Sequence, residues 1–170
     1  MQSLVSYFKD KELGYLHLIN GSLRSHFLDR FMNVITHFGS LPLVLLLLIM
    51  LLESEGTHMA GRTLVQVILL SQGMVHLLKW FINRPRPFRV WEDIIAQHPP
   101  TSKRSFPSGH ACASFAIALT LASFYPLSGF ILIPLAILVS LSRIYLGAHY
   151  PSDVLVGLII ATGSWALLVY

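Results

Sequence analysis

Apolar residues run along this chain in blocks close to the thickness of a bilayer, separated by polar joints. The first block covers 31–52 and is continuous from Leu41. A short polar joint at 53–61 leads to a second block, 64–82, with His76 and Lys79 near its end. The longest joint, 83–107, is rich in proline and charge. Three further blocks follow at 111–125, 129–145 and 154–169. Pro126 separates the first two of these, and 147–152 separates the last two, with Pro151 placed for a first helical turn. A crossing helix needs roughly 20 apolar residues, so the last three are somewhat short for crossing untilted. The pattern predicts an all-α, polytopic transmembrane helix bundle of about five spans.

The segment before the first block has a different rhythm. Leu4, Phe8, Tyr15, Leu18 and Ile19 interleave with Lys9, Asp10, Lys11 and Glu12. This reads as an amphipathic helix lying in the interface rather than crossing it. Ala111, Ser114, Ala118 and Ala122 share one helical face, and Gly157 and Ala161 repeat the small-xxx-small spacing that lets helices approach closely in lipid. The expected organisation is one domain over 1–170, an interfacial helix at 1–27 and a transmembrane core at 28–170.

Composition agrees with a membrane solvent. Hydrophobic residues make up 54% of the 170 and charged residues only 12%, against about 25% charged in a soluble domain. No cleavable leader is expected, because a polar, His-containing stretch precedes the first apolar block and no A-x-A site follows. Cys112 is the single cysteine, which excludes an intramolecular disulfide and reads as a small packing residue. The net charge of +4 is modest, but its placement is informative. Lys79, Arg84, Arg86, Arg89, Lys103, Arg104 and Arg143 all stand where an apolar block meets a polar joint. Charges at membrane helix ends, with no nucleic-acid-binding fold in view, point away from nucleic acid and toward an anionic head group. For Arg84, Arg89, Lys103 and Arg104 the plainer reading is juxtamembrane charge that sets topology.

Three polar clusters carry the candidate chemistry: Lys79-x6-Arg86-Pro87, Pro107-Ser108-Gly109-His110 and Ser142-Arg143-x5-His149-x3-Asp153. Alternating five spans places all three on one membrane face. A phosphate ester held there needs fixed positive charge on its non-bridging oxygens. Lys79, Arg86 and Arg143 can provide it, the arginines through a planar fork that matches phosphate. Ser108-Gly109 opens a helix whose free N–H groups suit an anion, and Gly109 permits close approach. Asp153, four residues after His149, can orient its imidazole and leave the other nitrogen to attack phosphorus. His110 has no such carboxylate and suits the acid that protonates the leaving oxygen. Metal and cofactor are not expected. Phosphoryl-transfer metals want clustered carboxylates, and a His110/His149 zinc pair has no evident third ligand. His76 reads as a packed polar residue facing the bundle, and His37 and His98 as interfacial or loop residues. Trp80, Trp91 and Trp165 read as head-group anchors.

These three clusters resemble, without gap or substitution, the signature of the type-2 phosphatidic acid phosphatase superfamily, which also includes the vanadium haloperoxidases and glucose-6-phosphatase. The resemblance runs from about Asn20 to Tyr170. It implies a helical core and a metal-independent phosphohistidine mechanism. It assigns phosphate binding to Lys79, Arg86, Ser108, Gly109 and Arg143, acid catalysis to His110, nucleophilic attack to His149 and its orientation to Asp153. Many bacterial members have six spans, whereas five are counted here. The short amphipathic start is similar to the bacitracin-resistance type of undecaprenyl-diphosphate phosphatase. The substrate implied is therefore undecaprenyl diphosphate first, with phosphatidylglycerophosphate or phosphatidic acid as alternatives.

Two other classes compete. A vanadate-dependent oxidoreductase would use the same cradle, but the haloperoxidases are soluble. A non-enzymatic lipid-binding protein would need no nucleophile. The expected location is the cell membrane, multi-pass. Positive charge alone would turn the clusters toward the cytoplasm, with only Arg62 opposite. Lys79, Arg86 and Arg143 are committed to chemistry, however, and the resemblance implies an extracytoplasmic site.

Overall fold

The computed structural model describes residues 2–97 and 99–170, with the side chain of Tyr7 and those from residue 9 onward. His98 and the side chains of Leu4 and Phe8 lie outside the described set. The eight helices among the described residues are α1 (Gln2–His17), α2 (His26–Ile35), α3 (Leu41–Glu53), α4 (His58–Phe81), a single turn α5 (Pro87–Val90), α6 (Gly109–Phe124), α7 (Gly129–Tyr145) and α8 (Pro151–Val169). A π-helical turn, Leu18–Ser22, extends α1.

The apolar block at 31–52 is not one straight helix. A tight 3-10 turn, Thr36–Gly39, breaks it, and the two halves bend by 49°. Two residues account for the break. Pro42 lacks an N–H and its ring would collide with a helical carbonyl one turn earlier, while it also pushes Leu41 away from helical geometry. At Gly39 a Cβ would lie 2.6 Å from the His110 carbonyl oxygen, so only glycine lets this turn press against α6.

By length and hydropathy alone fewer than five spans register, because the first is bent and the third is short. Among the described residues, three helical stretches are long and apolar enough to cross a bilayer, at 58–81, 126–145 and 151–169, or four where the bent α2–α3 pair is counted as one span. α6 has 16 residues, about 24 Å of helix against a hydrocarbon core of about 30 Å. Its start stands beside Asp153 and its end beside the 53–57 joint, so it runs the length of the bundle as a short, buried span. Ala111, Cys112, Ala116 and Thr120 on it are fully buried, and α4, α7 and α8 pack around it.

That packing depends on small residues. A Cβ on Gly157 of α8 would stand 2.7 Å from the Ser108 carbonyl oxygen, and Ala161 one turn on is fully buried. Gly157→Val should therefore push α8 from the start of α6. Overpacking of this kind costs about 1–3 kcal/mol. A lowered thermal midpoint in detergent is the expected result, and an unchanged midpoint would mean that the helices separate without strain.

The seating of α1 is added to the expected interfacial helix, and the expected face of His76 is corrected. Among the described side chains of α1 the buried one is Leu16, which packs with Ile94, Ala111, Tyr150 and Val154, while Tyr15, and Leu18 in the turn that follows, are exposed. The helix is thus seated on the bundle as well as amphipathic, and α2 already begins at His26, capped by Ser25. His76 is exposed rather than facing the bundle, because the α4 residues turned inward are Leu64, Val67, Ser71 and Val75. Trp80 is exposed, and Trp165 donates its indole N–H to Ser123 Oγ at 2.9 Å.

Candidate functional site

The nucleophile candidate is placed by the turn after α7. Gly147 adopts φ +67°, a left-handed conformation that ends the helix and that a side chain would resist. Its Cβ would also meet Ile94 Cγ2 at 2.8 Å. The reversal folds the next residues back, so the Ala148 and His149 N–H groups both donate to the Arg143 carbonyl at 3.1 Å. The five-residue interval between Arg143 and His149 is the length of this turn.

α8 then begins at Pro151. Asp153 in its first turn accepts the Tyr150 N–H on Oδ2 at 2.9 Å, while the Asp153 N–H donates to the Tyr150 carbonyl at 3.1 Å. The same oxygen stands 3.5 Å from His149 Nδ1, within ion-pair range but beyond a hydrogen bond. Oδ1 of Asp153 accepts Arg84 Nη1 at 2.8 Å.

The 83–107 joint closes over this turn. The Ser105 N–H donates to the Arg84 carbonyl at 2.9 Å, and Arg86 Nε donates to the Ser102 carbonyl at 2.7 Å. Asn20, fully buried, donates to the Ile95 and Tyr145 carbonyls at 2.9 and 2.7 Å and accepts the Ile95 N–H at 2.9 Å. One side chain thereby fastens the joint to the end of α7. Arg86 Nη1 reaches the Ala148 carbonyl at 2.9 Å and His149 Nε2 at 3.1 Å.

Arginine has donors only, so Nε2 of His149 must be the acceptor in that contact. The imidazole proton then sits on Nδ1, facing Asp153, and the lone pair on Nε2. Electrostatics support the neutral form. Burial, then the charges of Arg143, Arg86 and Lys79, hold the His149 pKa well below its ordinary value. Burial pulls Arg86 down to about 10, which leaves it cationic at neutral pH.

The remaining candidates surround this pair. Arg143 is buried, gives Nη1 to Thr36 Oγ1 at 2.6 Å, and has a buried Nε without a partner. Lys79 Nζ reaches the Ser105 and Arg104 carbonyls at 3.3 and 3.5 Å. Ser108 caps α6, its N–H bound to the Asp153 carbonyl at 2.9 Å. Gly109 sits beside Gln72, which donates to the Gly109 carbonyl at 3.2 Å and ties α6 to α4. His110, half-buried on the first turn of α6, interacts electrostatically with Arg143, His149 and Arg86. Among the described residues no carboxylate pairs with Lys79, Arg86 or Arg143, and no three His, Cys, Asp or Glu side chains converge as a metal site.

Sequence reasoning missed Arg84, Glu12, Thr36, Asn20 and Gln72 as parts of this region. As juxtamembrane charge Arg84 would only set topology, yet it stands two residues before Arg86 in an Arg-Pro-Arg-Pro run. Arg104 likewise has a specific task, donating to the Lys79 carbonyl at 2.7 Å at the end of α4.

Fold and site together define a multi-pass membrane helix bundle with a buried, cation-lined His–Asp centre at one end. Residues 60–170 match the model of the PAP2 superfamily, and the chain belongs to that family. It is 35% identical over 126 residues to the undecaprenyl-diphosphatase of Sulfolobus acidocaldarius, covering 74% of this chain and 58% of that one. It is 32% identical over 136 residues to the undecaprenyl-diphosphatase BcrC of Bacillus subtilis, covering 79% and 69%. The crystal structure of Aquifex aeolicus LpxE superposes with a TM-score of 0.84 at 34% identity, covering 92% of this chain and 93% of that one. The chain spans about half the length of several curated relatives it matches, from 44% to 58%.

Proposed function

We propose that this protein hydrolyses a lipid phosphate or diphosphate at the membrane surface, without a metal, through a phosphohistidine on His149. The observation that carries this reading is the set of three cations, Lys79, Arg86 and Arg143, around a neutral imidazole, none paired with a carboxylate among the described residues. Asp153 attracts Lys79 and Arg86 only from beyond ion-pair range, so three cations face one distant carboxylate, and an anion among them recovers part of the cost of burying them.

A phosphate entering the cluster takes Arg86 as a partner and releases Nε2 of His149. The freed lone pair attacks phosphorus in line with the leaving oxygen, and the P–O bond breaks as the P–N bond forms. His110 donates a proton to that oxygen, and Asp153 stabilises the positive imidazole through Nδ1–H. Water, deprotonated by His110, then cleaves the P–N bond and restores His149. Lys79, Arg86, Arg143 and the helix start at Ser108 and Gly109 hold the equatorial oxygens.

The proposed substrate is undecaprenyl diphosphate first, supported by the names of two relatives, with phosphatidylglycerophosphate or phosphatidic acid next. An apolar cleft of about 290 Å³ between α3, α6 and α7, bordered by Phe38, Leu47, Ser114 and Val139, supports a substrate with a hydrocarbon chain. The proposed setting is the extracytoplasmic face of the cell membrane, with the bilayer and its lipid phosphates as partners. Phosphate release from a panel of these lipids in detergent tests the reading, and no release from any of them would end it.

EDTA should leave the rate of release unchanged, because the charge that a metal would supply is covalently built in. A loss restored by Mg²⁺ or Zn²⁺ would contradict the fixed-cation account.

A further inference from the structure

We infer that Arg84 and Glu12 form an ionic strut that positions Asp153, and through it His149, so that the aim of the nucleophile depends on how α1 is seated. The inference rests on the phosphatase reading above. Arg84 Nη1 donates to Asp153 Oδ1 at 2.8 Å and to Ser152 Oγ at 2.7 Å, and its Nη2 donates to Glu12 Oε2 at 2.7 Å. The guanidinium lies over the Tyr150 ring, 3.9 Å from its centroid. Glu12 Oε1 accepts the Ser152 N–H at 2.9 Å and the Ser152 hydroxyl as well. A residue of α1 therefore satisfies a free N–H in the first turn of α8, a task usually left to the helix's own cap.

Asp153 is fully buried, and Arg84 is the only arginine or lysine paired with it among the described residues. Because Arg84 takes Oδ1 and the Tyr150 N–H takes Oδ2, the carboxylate cannot rotate, and Oδ2 is kept facing His149. Among the described contacts Arg84 makes none with His149 or with the three phosphate-facing cations. Its influence on the reaction has to pass through Asp153, which makes it a positioning residue. Glu12 holds the other end of the guanidinium, and Leu16, one turn further along α1, is fully buried against Tyr150 and Val154. Lysine could keep the charge at position 84 but not the fork that grips two carboxylates at once.

The test is a double-mutant cycle on the purified full chain, with dioleoyl phosphatidic acid and farnesyl diphosphate as probes in one detergent. Arg84→Gln should lower kcat about 10- to 100-fold, the effect of losing one charged hydrogen bond, with KM changed less than about twofold since no phosphate contact is lost. In an Asp153→Asn background the same substitution should cost less than about threefold, because the group it acts through is already impaired. Arg84→Lys should recover part of kcat, and Glu12→Gln should lower kcat several-fold with KM again unmoved. Equal losses from Arg84→Gln in both backgrounds would overturn the strut in favour of a general packing role. If Arg84→Gln fails to fold, Glu12→Gln decides: an unchanged kcat, or a loss confined to KM, would overturn the inference. A parent protein that releases phosphate from neither probe, nor from undecaprenyl diphosphate or phosphatidylglycerophosphate, would overturn the phosphatase reading and the strut with it. An active parent with an equally active Arg84→Gln would overturn the strut alone.

Discussion

His149→Ala should abolish phosphate release from every lipid phosphate that the parent hydrolyses, by at least about 10⁴-fold, the scale on which loss of a covalent nucleophile is felt. The expectation follows from geometry. Nε2 carries the lone pair, Arg86 Nη1 lies 3.1 Å from it, and no other imidazole in the described structure has a carboxylate placed as Asp153 is. His17 pairs with Asp93 at 2.9 Å, but its side chain is 41% exposed and it makes no described contact with Lys79, Arg86 or Arg143. Asp153→Asn should lose less, because the nucleophile survives with a poorer aim. Both variants need to elute as the parent does. Wild-type turnover by His149→Ala would end the assignment, and greater damage from Asp153→Asn than from His149→Ala would point to misfolding instead.

The second large effect separates the two histidines. His149 attacks whatever leaves, whereas a proton donor matters only when the leaving oxygen is a poor leaving group. His110→Ala should therefore slow hydrolysis of a lipid monophosphate, whose alkoxide leaves badly, by about 10²–10⁴-fold. On a nitrophenyl phosphate, or where the phosphate of a diphosphate departs, the loss should be far smaller. His149→Ala should harm both substrate types alike. Comparing kcat/KM for both variants on both substrates in one detergent gives the answer as transition-state free energies. Equal losses for His110→Ala on the two substrates would mean that it positions phosphate instead of donating a proton.

The polar clusters were legible in the sequence because charge in an apolar chain is conspicuous and each cluster stands at the end of an apolar block. The structure brings Arg86, His149 and Asp153 into one hydrogen-bonded region, with Lys79, Arg143 and the start of α6 around it. The break at Gly39 was not legible from hydropathy, which counts Phe38, Leu41 and Leu43 alike whether the backbone is straight or folded. Pro42 was the available signal, and it was outweighed by the leucines around it. Arg84 and Glu12 were hidden for another reason. Their partners are 69, 72 and 140 positions away, and no local pattern links residues over that distance. For α1, the choice between Leu16 and its neighbours Tyr15 and Leu18 turns on a rotation of one residue, which an amphipathic stretch this mixed does not specify.

The turn between α7 and α8 sets a limit on how this protein can be edited. Surface connections ordinarily absorb insertions and deletions, since their backbone is bonded to water. Here two consecutive amides share the Arg143 carbonyl, and a left-handed glycine fixes where the chain reverses. One residue more or fewer between positions 143 and 149 would carry the imidazole off its axis while leaving both helices and their membrane packing untouched. The segment acts as a gauge of fixed length. Tags, grafted epitopes and permuted termini belong in the 53–57 joint at the other end of α4, where Glu53, Ser54 and Glu55 are exposed and no candidate site residue lies nearby in the chain.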